Sequence, residues 1–261
     1  MKVSLVCPVY NESGHLQEFL EQLDVLQLGH SPKTGHAIEK ELIFVDDCSR
    51  DGSLAILKSF PFKSQVRIDA QPTNQGKGAA LRRGFALATG DVIGVQDADF
   101  EYSMDEVPAL LVPLVTGKAD VVYGSRFKKS GTQVHRTFHY LINRFLTILS
   151  NMLSGLYLTD METCYKFFQA DILKNLKLET NRFGFEPEIT AKVARLKVRM
   201  VEIPISYHPR NYLEGKKITW KDGVAAVRHI IYFNLFVKPR DFVLPTMPKR
   251  FVPAGRENRP S

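Results

Sequence analysis

The sequence predicts an α/β protein of Rossmann-like class, with a mostly parallel sheet flanked by helices. Three observations predict it. Short apolar, β-branched runs alternate with stretches of helical period. The opening of the chain reads as strand, polar turn and helix, the first unit of a doubly wound sheet. The run Val92-Ile93-Gly94-Val95-Gln96-Asp97-Ala98-Asp99 then reads as a buried parallel strand ending in two carboxylates one residue apart. Open α/β sheets place their ligands at such strand ends.

Val3–Val6 is the first strand, closed by Pro8 and followed by Val9-Tyr10-Asn11-Glu12-Ser13. Asn11 or Ser13 caps a helix whose apolar positions Leu16, Phe19, Leu20, Leu23 and Leu26 fall at helical spacing. Residues 29–37 are loop. Leu42–Val45 is the second strand, ending in the turn Asp46-Asp47-Cys48-Ser49-Arg50-Asp51-Gly52-Ser53 before a helix over Leu54–Phe60. Asp51 or Ser53 is sufficient as that helix's cap; Asp46 and Asp47 are left over, and a carboxylate there can accept hydrogen bonds from a base or ribose. After a short strand at Val66–Ile68, Asn74-Gln75-Gly76-Lys77-Gly78-Ala79-Ala80-Leu81 brings two glycines around a lysine at a helix start. That arrangement is either an anion site or a plain turn, and it lacks the Walker spacing.

In the central strand Asp97 and Asp99 share a face unless a turn begins at Ala98. Two converging carboxylates repel unless a cation joins them, and a hard ion such as Mg²⁺ or Mn²⁺, which usually brings a phosphate, suits them. The alternative is a turn that caps the next helix. A helix over Ser103–Thr116, carrying Pro108 and Pro113, leads to a strand at Asp120–Arg126. Arg126 then faces the same crevice, either as a bidentate phosphate ligand or in an ion pair with Asp97 or Asp99.

From Val134 to Leu158 a broad apolar stripe at helical spacing runs beside His135, Arg136, His139, Asn143 and Arg144, as in an interfacial helix or a packed core helix. Thr159-Asp160-Met161-Glu162-Thr163-Cys164-Tyr165-Lys166-Phe167-Phe168 mixes carboxylates with a strand-like aromatic run. Asn181-Arg182-Phe183-Gly184-Phe185-Glu186-Pro187-Glu188 precedes a helix over Ile189–Arg195, where Glu188 also suits the helix dipole. Val198–Tyr207 is the last strand. Beyond it Arg210, Glu214, Gly215, Lys216 and Lys217 form a basic loop able to close over phosphates. A second amphipathic helix spans Val224–Val237, and the tail from Pro239, rich in proline and Lys/Arg, is expected to be poorly ordered.

With 261 residues, an apolar fraction of 44% and a charged fraction of 24%, the chain is long enough for one full α/β domain with a real core or for two small ones, and disorder is excluded as the main state. The net charge of +7 favours anionic partners. A nucleic-acid role is not expected, because the basic residues are scattered and no recognition module is visible. Cys7, Cys48 and Cys164 lie far apart, which excludes a zinc knuckle or a disulfide framework and fits a reducing cytosol. The amino terminus lacks a signal-peptide core, and no stretch approaches the ~20 apolar residues of a membrane span.

Taken in order, Pro8-Val9-Tyr10-Asn11-Glu12, Val45-Asp46-Asp47-Cys48-Ser49-Arg50-Asp51-Gly52, Asn74-Gln75-Gly76-Lys77-Gly78 and Asp97-Ala98-Asp99 resemble the family-two glycosyltransferases of the GT-A fold. Asp160–Phe168, Glu186–Glu188, and Arg210 with Gly215-Lys216-Lys217 resemble the branch similar to dolichyl-phosphate and polyprenyl-phosphate mannosyl- and glucosyltransferases. The resemblance spans about residues 2–237. It implies that Pro8, Tyr10, Glu12 and Asp47 hold the nucleobase and ribose, with Gly76 and Lys77 near the donor. By it Asp97 meets the ribose or sugar side, Asp99, with Asp97, ligates the metal, and Arg126, Arg210 and Lys217 meet the diphosphate or the acceptor phosphate. The last motif departs from the pattern, reading Gly215-Lys216-Lys217-Ile218 where the mannosyltransferases tend to have Gly-x-Ser-Lys.

The expected function is therefore metal-dependent, inverting hexose transfer from a UDP-glucose or GDP-mannose type donor to an undecaprenyl or dolichyl phosphate. Expected domains are a catalytic unit over 1–220 with an amphipathic helix near 134–158, a C-terminal amphipathic helix over 221–238 and a flexible tail over 239–261. Those helices would hold the protein peripherally on the inner face of a membrane. One rival is a soluble transferase with a hydroxyl acceptor, both helices buried in a homodimer, and Asp160 or Glu188 as general base. Another is a nucleotide-sugar-binding protein without turnover.

Overall fold

The computed structural model describes residues 1–32, 34–128, 137–182, 184–209 and 220–253, with backbone alone at 137–139 and 220–222. Its strands are β1 (Lys2–Val9), β2 (Glu39–Asp46), β3 (Gln65–Ala70), β4 (Val92–Val95), β5 (Val121–Ser125), β6 (Lys166–Gln169) and β7 (Met200–Pro204). They form one sheet in the order β3-β2-β1-β4-β6-β5-β7. Every pairing is parallel except those of β6, which runs antiparallel between β4 and β5.

That reversal positions the site. Because β6 enters the sheet at the edge where β4 and β5 leave it, the turn over residues 160–165 arrives beside Asp97 and Arg126. Of the stretch Thr159–Phe168, which mixes carboxylates with a strand-like aromatic run, the part from Lys166 is the strand β6. Gly94 makes the pairing possible: a Cβ there would collide with the Phe167 ring across the β4–β6 pair. Pro8 lies within β1 instead of closing it. Val6 turns its carbonyl toward β4, where it receives the Gln96 N–H, so Pro8, two residues on, faces the same side past the last β1–β4 pair. Its missing donor breaks no ladder bond.

The helices are α1 (Ser13–Val25), α2 (Ser53–Ser59), α3 (Lys77–Leu87), α4 (Val107–Val115), α5 (Thr137–Ser154), α6 (Ala170–Leu173), α7 (Phe185–Val193), α8 (Trp220–Leu235) and α9 (Pro239–Phe242). In α1 the expected stripe Leu16, Phe19, Leu20 and Leu23 is buried, as the 3.6-residue period requires. α4 is preceded by a 3-10 turn over Met104–Glu106 and keeps Pro113 inside it. α7 begins at Phe185, four residues before the expected start, so Glu186 and Glu188 both fall in its first turn.

α5 and α8 lie side by side. On α5 the polar Thr147 and Ser150 are buried, and Thr147 Oγ1 accepts the Met161 N–H at 3.1 Å, while Leu141, Phe145, Ile148 and Met152 face outward. On α8 Ile230 and Phe233 enter the core, while Val224, Ile231, Tyr232 and Leu235 are exposed, as is Phe236 just past its end. Phe145 and Met152 are 58% and 77% exposed, the reverse of what core packing alone would give. No helix among the described residues is long and apolar enough to cross a membrane.

The tail departs from expectation. Residues 239–253 are ordered against the domain: Phe242, Met247 and Phe251 are buried, and Lys177 and Lys197 donate backbone N–H groups to the Phe242 and Phe251 carbonyls. Three spaced apolar residues are sufficient to hold a proline-rich segment whose composition alone reads as unstructured. Residues 254–261 lie outside the described residues.

Candidate active site

The C-terminal edge of the sheet is built from loops that fasten one another. After β1, the Asn11 N–H donates to Ser49 Oγ and its Oδ1 accepts the Arg50 N–H; Ser13 N donates to Asp51 Oδ2. Asp51 also accepts the Ser53 N–H and hydroxyl. Burial opposes its charge, but these donors outweigh burial and bring its pKa down to about 2. Asn11, Cys48 and Phe100, in the loops after β1, β2 and β4, have φ of 52°, 61° and 55°. Left-handed non-glycine residues each cost on the order of 1–3 kcal/mol and gather where surrounding structure fixes a functional loop.

Asp47 is the hub of the next loop. Its Oδ1 accepts Gln71 Nε2 and Gln75 N, both at 2.7 Å, and its Oδ2 accepts Gly76 N at 2.7 Å and Asn74 Nδ2 at 3.0 Å. Both oxygens thereby fasten residues 71–76 to the end of β2. Pro8, Tyr10 and Glu12 do reach this edge, and the Glu12 carbonyl starts α1 by accepting the Leu16 N–H.

The glycines of Gly76-Lys77-Gly78 are explained by close approach. Gly76 has φ of 97°, and a Cβ on it would sit 2.6 Å from the Asn181 carbonyl; a Cβ on Gly78 would collide with the Thr180 carbonyl. Ala79 N donates to Asn181 O at 3.0 Å, so the start of α3 is latched to the segment leading into α7. The latch brings Lys77 between two carboxylates: Nζ is 2.7 Å from Asp97 Oδ2 and 3.2 Å from Glu186 Oε1. Burial works against this ammonium, but Asp97 and Glu186 more than offset it and raise its pKa well above the ordinary lysine value.

Asp99 Oδ1 accepts the Glu101 N–H at 3.1 Å across the Phe100 turn. The Oδ1 of Asp97 is buried and has no hydrogen-bond partner among the described residues. Among those residues no group of three or more His, Cys, Asp or Glu side chains could hold a metal ion. The donor set is oxygen only, with one carboxylate oxygen unsatisfied. It fits a hard ion bound by one or two carboxylates that draws its other ligands from a diphosphate, the usual Mg²⁺ arrangement.

Arg126 pairs neither with Asp97 nor with Asp99. Its Nε and Nη2 each lie 2.7 Å from the Asp160 carboxylate, and its backbone N–H adds a third bond at 3.0 Å. The guanidinium lies over the Tyr207 ring at 5.1 Å. Glu202 on β7 holds the turn from beneath, accepting the N–H groups of Thr159 and Asp160. Asp160 is 0% exposed. A carboxylate so placed orients Arg126 and cannot take a substrate proton without stranding a buried cation, which corrects its expected role as general base.

Glu188 is corrected for the same reason. It accepts Glu179 N at 2.7 Å, Thr180 N at 2.9 Å and Thr180 Oγ1 at 2.5 Å, and it pairs with the buried Lys192 one turn on. It fixes α7 to the segment that packs on Gly78. Its neighbour Glu186 meets Lys77 instead. Glu186 shares a motif with Glu188, but only the latched loop singles it out.

A second residue that sequence reading passed over is Glu162. Its Oε1 is buried with no hydrogen-bond partner among the described residues. Burial first, and Glu186 second, push its carboxyl up to about 7, against the attraction of Lys166 and Arg126. Lys166, buried beneath the turn, donates to the Met161 and Thr163 carbonyls and lies 4.5 Å from the Tyr123 ring centre. Burial brings its pKa down to about 8 although the nearby carboxylates oppose the shift. Arg210 and Lys217, expected at the phosphates, lie outside the described residues, as does the whole loop over 210–219.

Comparison with known proteins decides the family. The model for glycosyl transferase family 2 matches residues 4–177, from β1 through β6. The chain belongs to glycosyl transferase family 2. As a family 2 glycosyltransferase it is 32% identical over 226 residues to the undecaprenyl-phosphate mannosyltransferase of Micrococcus luteus, covering 83% of this chain and 87% of that one. A dolichyl-phosphate beta-glucosyltransferase of Trichomonas vaginalis is 28% identical over 228 residues, covering 83% of this chain and 68% of that one. Among solved structures, glucosyl-3-phosphoglycerate synthase from Mycobacterium tuberculosis, in complex with Mn²⁺, UDP and glucosyl-3-phosphoglycerate, superposes with a TM-score of 0.65 at 18% identity, covering 91% of this chain and 81% of that one. That likeness establishes the fold, a GT-A arrangement with its central sheet flanked by helices.

Proposed function

We propose that this glycosyltransferase moves a hexose from a nucleotide sugar of the UDP-glucose or GDP-mannose type to the phosphate of a polyprenyl chain, with inversion and with Mg²⁺ or Mn²⁺ as cofactor. The observation that carries the lipid half is the outward apolar face shared by α5 and α8. A folded domain that buries Thr147 and Ser150 while exposing Phe145, Met152, Leu235 and Phe236 has a surface made for an apolar medium. The face flanks the site: His229 of α8 abuts Gly184, and Arg144 of α5 donates to the Thr159 carbonyl. The family relatives named for undecaprenyl and dolichyl phosphates support the same reading.

The chemistry follows from where charge sits. A metal at Asp99, with Asp97, would supply positive charge to the diphosphate as the glycosyl bond breaks. Lys77, between Asp97 and Glu186, adds a second cation on that side. A lipid phosphate is ionised near neutral pH, so its oxygen attacks the anomeric carbon without a base. This suits a site in which Asp160 and Glu188 are both committed to cations and N–H donors. The hydroxyl-acceptor reading with Asp160 or Glu188 as base is disfavoured on that ground.

The proposal is tested by supplying UDP-glucose or GDP-mannose with polyprenyl phosphate in anionic vesicles, and separately with soluble hydroxyl acceptors, while following nucleoside diphosphate release and glycolipid formation. Glycolipid made only with the phosphate acceptor is the expected result. Transfer to the hydroxyl acceptors alone, or donor binding without turnover, would overturn it.

A further inference from the structure

We propose that Lys77 is the resident counter-cation of Asp97 and that Glu186 is a positioning residue which takes that ammonium over when a divalent ion binds, making ion binding and lysine displacement a single exchange. The inference deepens the metal-dependent reading above and rests on it.

The geometry points to a two-position cation. Lys77 Nζ lies 2.7 Å from Asp97 Oδ2 and 3.2 Å from Glu186 Oε1, so the same ammonium already touches both carboxylates. Its backbone is fixed on both sides: Asp47 holds the Gly76 N–H, and Ala79 N is bonded to the Asn181 carbonyl. Glu186 stands in the first turn of α7, which Glu188 pins through Glu179, Thr180 and Lys192. With both supports rigid, only the lysine's flexible four-carbon stem can move.

Without an ion, Asp97 and Glu186 share the Lys77 ammonium, and Asp97 Oδ1 is left buried and unpartnered among the described residues. With a divalent ion at Asp97, like charge repels the ammonium, and Glu186, itself buried, offers a partner within hydrogen-bonding reach. Each carboxylate then has its own cation.

The test is Mn²⁺ binding to the full chain in the presence of UDP or GDP and without acceptor, read from the electron paramagnetic resonance signal of the free ion, with thermal melting as the control for folding. Lys77→Met, and Lys77→Gln as a second variant, remove the competing cation and bind Mn²⁺ about tenfold more tightly than the native chain. Glu186→Gln leaves the ammonium with Asp97 alone and weakens Mn²⁺ binding by about fivefold; in the Lys77→Met background the same change shifts binding by less than about twofold, since Glu186 acts through the lysine. Unchanged or weaker binding in both Lys77 variants, or an equal Glu186→Gln effect with and without the lysine, overturns the exchange. If the native chain binds no Mn²⁺ with either nucleotide, the metal-dependent reading itself falls, and the exchange with it.

Discussion

Replacing Asp160 by Asn tests the reassignment of that residue from base to support. The side chain keeps its shape but loses its charge, and one oxygen that accepts from Arg126 becomes an NH₂ facing a guanidinium donor. Asp160 is fully buried and Arg126 is nearly so, and their pair is made by two side-chain bonds of 2.7 Å with a backbone bond at 3.0 Å. Removing one partner of a buried pair strands the other charge and costs about 3–5 kcal/mol. Asn retains one acceptor, so the lower end, about 3 kcal/mol, is expected; at roughly 2–4 °C per kcal/mol this lowers Tm by about 6–12 °C. Urea denaturation followed by circular dichroism gives the first quantity and calorimetry the second. A double variant, Arg126→Met with Asp160→Asn, removes both charges while Asn keeps an acceptor for the Arg126 N–H, and should recover most of the loss, because the penalty lies in the unpaired guanidinium. An Asp160→Asn protein within about 1 kcal/mol of the native chain, or a double variant no more stable than the single one, would refute the reasoning.

Other expectations follow from single contacts. Glu162 has its carboxyl pKa raised from 4.5 to about 7. The folded state holds a proton there that the unfolded chain has released, so stability falls as pH rises between those values, by up to about 3 kcal/mol. Glu162→Gln should flatten that slope in urea titrations from pH 4.5 to 7, and a slope unchanged by the substitution would contradict the assignment. Gly78→Ala forces a Cβ against the Thr180 carbonyl, which should loosen the α3–α7 latch and speed amide exchange at Ala79; unaltered exchange there would count against the latch. Phe145→Ser with Phe236→Ser should abolish sedimentation with anionic vesicles while leaving Tm within about 2 °C, since both side chains are largely exposed. If vesicle binding survives and a dimer seen by light scattering dissociates instead, a second copy covers that face.

Much of the architecture was legible in the sequence because apolar runs and helical periods report burial directly. The four parallel strands β1 to β4, the stripe on α1 and the carboxylates after β4 stand where those patterns place them. The antiparallel insertion of β6 was not legible, since period and propensity say nothing of strand direction, and Gly94 matters only once Phe167 is known to lie over it. The tail misled for the opposite reason: composition averages over a segment, whereas Phe242, Met247 and Phe251 anchor it singly. At the site, residue types pointed to the right edge but not to the pairings. Asp160 and Glu188 have the chemistry of bases, and only their neighbours show that Arg126 and Lys192 have already claimed them. Glu186 was hidden by the converse, since nothing nearby in sequence marks it as the partner of Lys77, more than a hundred residues earlier.

The most direct measurement is glycosyl transfer by the Asp99→Ala protein in polyprenyl-phosphate vesicles with Mn²⁺, beside the native chain with and without chelator. Loss of at least about a hundredfold in kcat/KM for the variant, matched by chelation of the native enzyme, is the expected result. Transfer that proceeds at the native rate without Asp99, or in the presence of chelator, would contradict a diphosphate departure assisted by an ion at this sheet edge.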